Sequence, residues 1–421
     1  MSETTGPLQG RWRALWVCFF AGVAMFFPFV GYSTQVTTIM ENLDVNYTQI
    51  GSLASITALT VGITLLVVGN WVDSRGPRAA TVAGLLIAGL GQIIFTIAPN
   101  YEFLLLSRAL MGIGIGLLYI GPYTMVARWF ERSGKVAGAL GVMSATEGVG
   151  TLVATYLLAI VYTSAGYDAG NVVASIIIIG MALVAAVLLK EPPHLERGKL
   201  APPEEGILKQ YLKVLSHRNI IAASFVLIGL FGVYSMVVFW VPTLLMEEAG
   251  WSAEGAGFMA AVYPLVGTVA AVVAGLISDQ LRRRKPLLVL SGLGLALSSI
   301  GFALALLAGN YTVLVILLPL FGIFHYTGQP IAFALAFDSV GIRLAATANG
   351  FLFGIGSIVG GLVFPLVIGA VRDATGSYNA GFITLAITMF VLNFLIPLVV
   401  MKDVTPSKTD RAELASEPTS A

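Results

Sequence analysis

The feature that most restricts this chain is a series of apolar runs, each long enough to cross the roughly 30 Å hydrocarbon core of a bilayer as a helix. Six precede residue 190, at Ala14–Ile39, Ile50–Gly69, Ala79–Ala98, Phe103–Ala127, Val136–Thr163 and Val172–Leu189. Six more follow residue 218, at Ile220–Met246, Ala256–Ile277, Pro286–Ala308, Tyr311–Phe337, Leu344–Val371 and Phe382–Met401. Backbone that faces lipid must satisfy its own hydrogen bonds, which makes each run a helix. Charged residues are 11% of the 421, against about 25% in soluble proteins, so an ordinary soluble fold is excluded. The expected fold is all-α, a polytopic membrane protein with twelve transmembrane helices in two pseudosymmetric six-helix bundles.

The chain divides into a first bundle over residues 1–190, a linker over 191–218 rich in proline and mixed charge, a second bundle over 219–401 and a tail over 402–421. The two bundles echo one another. The charged turn from Gly69 to Arg78, built around Asp73, returns 206 residues later from Gly275 to Arg284, built around Asp279. The same offset carries Gly116 onto Gly322, Gly148 onto Gly354 and Gly150 onto Gly356. Two parallel repeats of this kind are the plan of a transporter.

Lysine and arginine collect in the turns on one side, with Arg372 the lone base on the other beside Glu41, Asp44, Glu102, Glu247 and Glu248. The bias predicts both termini and the linker in the cytoplasm, and the plasma (inner) membrane is the expected location. A formal charge of +1, with its bases spread over turns and tails, predicts no nucleic-acid partner. Cys18 is the only cysteine, so no disulfide framework or thiolate metal site is expected. The triplets at Asn46 and Asn310 abut helix starts and are read as caps rather than glycosylation sites.

The turn after the second run resembles the signature of the major facilitator superfamily, matched at Gly69, Asp73, Gly76 and Arg78, with Ser74 in place of the first base and Arg75 one position late. The second copy keeps Gly275, Asp279, Arg283 and Arg284, but has Gln280 and lacks the second glycine. A further motif of that family, an arginine followed by spaced glycines in the fourth span, is matched by Arg108, Gly112, Gly114 and Gly116. The resemblance covers nearly the whole chain and implies the family's fold and alternating access. It also implies that Asp73, Arg78, Asp279 and Arg283 gate the cytoplasmic side. In the fifth span the antiporter Gly-Pro ending is absent, since Ala154 and Thr155 follow Gly150. Paired arginines of the kind that hold strongly anionic substrates in relatives are absent from the corresponding spans as well.

Within the spans two ionisable groups stand well inside, Arg108 and Glu147. A charge at mid-membrane costs about 2.5–3.5 kcal/mol on insertion scales, so each is expected to face a partner or a wet cavity. They are expected to pair. Glu147 is then either a proton-carrying carboxyl group coupled to Arg108 or half of a static ion pair. Tyr32, Gln35, Tyr119, Tyr123, Tyr234, Trp240, His325, Tyr326 and Gln329 form the candidate substrate-binding lining, because the resemblance puts the first, fourth, seventh and tenth spans around the pore. The repeat carries Tyr119 onto His325 and Tyr123 onto Gln329.

These features predict a secondary transporter, not an enzyme, with no cofactor. Its partners are a small-molecule substrate, protons and the lipid bilayer. Proton-coupled uptake of a monocarboxylate or similar organic acid is the leading expectation. The alternative is an exporter or facilitator of a neutral or apolar small molecule.

Overall fold

The computed structural model describes residues 9–131, 135–192, 207–281, 283–340 and 342–402. Among these, twelve helices have the length and apolarity to span a bilayer. In chain order they are α1 Gly10–Thr34, α2 Tyr47–Val68, α3 Pro77–Thr96, α4 Tyr101–Phe130, α5 Gly138–Ala165 and α6 Tyr167–Leu188, then α7 Arg218–Ala249, α8 Ala253–Ser278, α9 Lys285–Leu307, α10 Tyr311–Val340, α11 Thr347–Thr375 and α12 Asn379–Val400. All the described secondary structure is helical.

The first span differs from its expectation. Instead of running on to Ile39, α1 tightens into a 3-10 turn over Gly31–Thr34 and is followed by a short helix, Val36–Leu43. Pro28 explains the break, since it removes a backbone donor from the last full turns of α1. Asp44, at φ 50, ends the short helix in the left-handed region. Asn46 then caps α2 in a reciprocal box with Gln49, and Asn310 accepts the N–H of Val313 at the start of α10. Both triplets serve as caps, as expected.

Glycine decides how the helices pack, because in lipid close backbone approach replaces the hydrophobic drive between helices. A Cβ at Gly112 would stand 2.5 Å from the Thr57 carbonyl on α2, and one at Gly114 2.5 Å from the Ala88 nitrogen on α3. The spaced glycines of α4 thus face alternate neighbours. Between the halves, Gly148 of α5 lies against Leu265 of α8, and its repeat mate Gly354 of α11 lies against Leu66 of α2. The bundles therefore meet along two equivalent seams, α5 on α8 and α11 on α2. Each of α5 and α11 widens into a π turn at a matching place, Val153–Leu157 and Gly356–Gly361.

The described residues that flank the linker and precede the C-terminal tail lie on one face of the molecule, the linker face. Trp129 donates to the Lys190 carbonyl at 2.9 Å, and Asn219 exchanges two hydrogen bonds with the Lys402 backbone. A short helix, Ile207–Leu215, forms within the linker and lies against both halves. Its Tyr211 hydroxyl donates to the Leu66 carbonyl of α2 at 3.1 Å, and its Gln210 accepts from Thr347 of α11 at 3.0 Å.

Candidate substrate cavity

Between the halves lies a cavity of about 1050 Å³. Val72, Ala127, Leu140, Thr347 and the linker-helix residues Gln210 and Tyr211 border it, so it extends to the linker face. Its depth is set by helices that supply one side chain per turn. Tyr119 and Tyr123 of α4, Tyr234 of α7 and His325, Tyr326 and Gln329 of α10 all line it, so the structure brings six of the nine candidate lining residues together.

Glu147 of α5 lines the same cavity and is the one carboxylate among its described lining residues, which include no lysine or arginine. Tyr326 faces the carboxyl group directly, yet its hydroxyl closes no hydrogen bond of ordinary geometry, and the hydroxyls of Tyr234 and Tyr263 have no partner either. The His325 ring packs on Tyr326 at 4.7 Å and on Tyr263 at 5.6 Å, with Nδ1 unpartnered. With Glu147 and Gln329, the side chains of Tyr234, His325 and Tyr326 put hydrogen-bond donors and acceptors on the cavity wall. Tyr263 of α8, fully buried, does not line the cavity but backs its wall through ring contacts with His325 and Tyr326.

Arg108 is elsewhere, and the ion pair expected with Glu147 is not formed. The guanidinium is fully buried and donates to the carbonyls of Pro28, Phe29 (3.0 Å) and Leu53 (3.4 Å), with the Tyr32 ring 4.4 Å away. The physical reason is the break in α1. Where a helix ends, its last carbonyls lose their own donors and carry the negative end of the dipole, and a buried arginine satisfies both needs. Tyr32 and Gln35 sit beside this break, buried and outside the cavity lining, and both amide atoms of Gln35 lack partners.

Trp240, the remaining candidate, belongs to a seam that closes the cavity from the face opposite the linker. Its Nε1 donates to the Pro365 carbonyl, and its ring packs on Tyr47 and Tyr378. Across this seam the Asp373 carboxylate accepts the N–H groups of Tyr47 (3.1 Å) and Thr48 (2.7 Å), and the Tyr47 hydroxyl donates to Glu247 at 2.9 Å. Arg372 bridges Glu247 and Glu248 at 3.2 and 3.0 Å. Burial and the adjacent Glu247 carboxylate raise the pKa of the Tyr378 hydroxyl, so it stays a donor to Glu247. Tyr47, at the start of α2, is thus a fastener between the halves.

On the linker face, the side chains of Asp73 and Asp279 lie outside the described part of the structure. Arg78 donates to the Ala186 carbonyl at 2.6 Å, and its backbone N–H is taken by Glu191, which steadies the turn between α2 and α3. Arg283 is exposed, while its neighbour Arg284 pairs with Asp338 at 3.1 Å and donates to Ser278.

Residues 15–365 match the family model of the Major Facilitator Superfamily. A hexuronate transporter of Bacillus subtilis (strain 168) is 24% identical over 413 residues, covering 90% of this chain and 94% of that protein. Monocarboxylate transporter 13 of Rattus norvegicus is 25% identical over 395 residues, covering 91% and 88%. The fold superposes on the crystal structure of a bacterial homolog of the human lysosomal transporter Spinster, inward-facing and unoccupied, with a TM-score of 0.78 over 99% of this chain and all of that one at 16% identity. With twelve spanning helices in two repeats, a cavity between them and a family match over most of its length, the chain belongs to the Major Facilitator Superfamily and is a membrane transporter.

Proposed function

We propose that the protein is a proton-coupled uptake transporter for a small organic monocarboxylate. The observation that carries this reading is the isolated Glu147 carboxyl group on a cavity wall shared with the hydroxyls of Tyr234 and Tyr326, with no arginine or lysine among the described lining residues. A carboxylate ligand beside an ionised Glu147 is repelled. Once Glu147 is protonated, it and the tyrosine hydroxyls become donors to that ligand. Substrate and proton then bind together or not at all, which is the condition for symport. Relatives named as hexuronate and monocarboxylate transporters fit an organic acid as cargo.

In this reading the termini and linker face the cytoplasm of a cell whose plasma membrane holds the protein, and the conformation is inward-open. Asp73 and Asp279, with Arg78 and Arg283, clamp the linker face when the cavity opens outward. Arg108 acts indirectly, by holding the broken end of α1.

The test is uptake into proteoliposomes under an imposed pH gradient. Accumulation of a monocarboxylate driven by that gradient is expected, and uptake indifferent to it removes proton coupling. The rings of Phe29, Phe231, Phe239, Phe333 and Phe353 along the cavity favour a second reading, movement of a neutral or apolar solute. That solute would cross equally well at all pH gradients.

A further inference from the structure

The repeat that relates the two halves places Phe353 of α11 where Glu147 stands on α5, since both are displaced by the same 206 residues as Gly148 and Gly354. Both line the cavity, from opposite halves. One equivalent position therefore carries the acid and the other an aromatic ring. Around Phe353 the surroundings repeat the contrast. Its ring meets Phe231 edge-on at 4.9 Å and Tyr119 at 5.3 Å, and lies parallel to Phe333 at 6.0 Å with only 4° between planes.

Three of the hydroxyls around this wall are already engaged. Ser357, one turn beyond Phe353, donates to the Ala58 carbonyl at 2.8 Å, and on the facing helices Ser144 and Thr268 donate to carbonyls of their own turns. Gly350, the cavity-lining residue just under one turn before Phe353, has nothing within 4 Å of where a Cβ would stand. An open slot thus runs beside the ring. A ligand body held there meets ring faces, with the Asn349 amide the polar group beside Gly350, which suits carbon and disfavours a chain of hydroxyls.

We infer that the cargo is a monocarboxylate with an aromatic or branched apolar body, its acid end at Glu147 and its body in the slot between Phe353 and Gly350, rather than a polyhydroxylated sugar acid. This rests on the organic-acid reading above and narrows it. Aromatic walls contribute through area and ring geometry, so loss of one ring or filling of the slot acts on the body of the ligand and on selectivity among acids.

The experiment measures binding to the purified protein, and pH-driven uptake into proteoliposomes, for 3-phenylpropionate, propionate and gluconate. The phenyl acid is expected to bind at least about tenfold tighter than gluconate. Phe353→Ala and Gly350→Leu should each bring the ratio between phenylpropionate and propionate affinities down by about tenfold. Gly350→Leu improves helix propensity and fills open space, so it carries the test even where the ring deletion harms folding. Gluconate bound and accumulated as well as the phenyl acid overturns this inference and leaves proton–carboxylate symport standing. Unchanged ratios in the folded Gly350→Leu variant overturn the placement. If no acid is accumulated but 3-phenylpropanol is taken up at every pH gradient, the organic-acid reading itself falls, and the inference with it.

Discussion

The carboxylate of Asp373, at the end of α11, accepts the first two backbone N–H groups of α2 in the other half, at 3.1 Å from Tyr47 and 2.7 Å from Thr48. A helix start is an anion site, and here the anion comes from the opposite bundle, so the bond exists only while that face is shut. Hydrogen bonds to a charged group contribute about 1.5–3 kcal/mol. Asp373→Ala is expected to shift the population toward the state open on that face by about tenfold or more. Cys18, the sole cysteine, is buried, so thiol labelling of a Ser33→Cys variant beneath the seam reads the shift. Equal labelling rates with and without Asp373 would show that the seam does not control opening.

Glu147→Gln removes the one carboxylate among the described lining residues while keeping its shape. Accumulation driven by a pH gradient should be lost, while exchange of labelled for unlabelled substrate continues, because exchange needs no net proton movement. A Gln variant that still concentrates substrate in response to pH alone would move the proton site elsewhere, with His325 the next group in the cavity.

Arg108 has a different signature, since its partners are carbonyls and not Glu147. Arg108→Ala leaves the Pro28 and Phe29 carbonyls buried without these donors, at about 1–3 kcal/mol for each unsatisfied group. The expected result is a clear fall in thermal stability in detergent. The pH midpoint of transport in Arg108→Lys should stay where it is in the parent. A displaced midpoint would restore the coupling that the geometry does not contain.

Two glycines offer a paired test of packing. Gly112→Ala drives a Cβ to 2.5 Å from a backbone carbonyl that cannot turn aside, and overpacking of this kind costs about 1–3 kcal/mol. Gly141→Ala meets nothing within 4 Å and should hold or slightly raise the melting temperature, because alanine favours the helix. Equal melting temperatures for the two variants would deny that the α2–α4 contact is close-packed.

The spans and the repeat were legible because each is written in one dimension, as apolar length or an offset; the spaced glycines of α4 were visible as a motif, but which neighbours they admit was not. Glu147 was legible for a similar reason, as an acid alone in an apolar run. Its supposed pairing with Arg108 was not, because depth along a helix can be counted from sequence while rotation about its axis cannot. Nor does sequence say that a proline-broken helix would present free carbonyls to that arginine. The seam of Tyr47, Trp240, Glu247 and Asp373 was hidden for another reason: it belongs to one conformation, and its members look like loop acids and interfacial rings. Arg372, the lone base on its side of the membrane, was the trace it left.

A cavity whose described lining holds one acid and no lysine or arginine also bears on the membrane voltage. Empty, with Glu147 ionised, it carries a single negative charge across the field. Loaded with a monoanion and a proton, as proposed, it would carry the same charge, now on the cargo. A charge crossing the membrane exchanges about 2.3 kcal/mol per 100 mV, but equal charges moving in opposite directions over the two half-cycles exchange nothing in sum. Such a carrier would be blind to the electrical part of the proton gradient and obey the chemical part alone, concentrating its cargo by about tenfold for each pH unit.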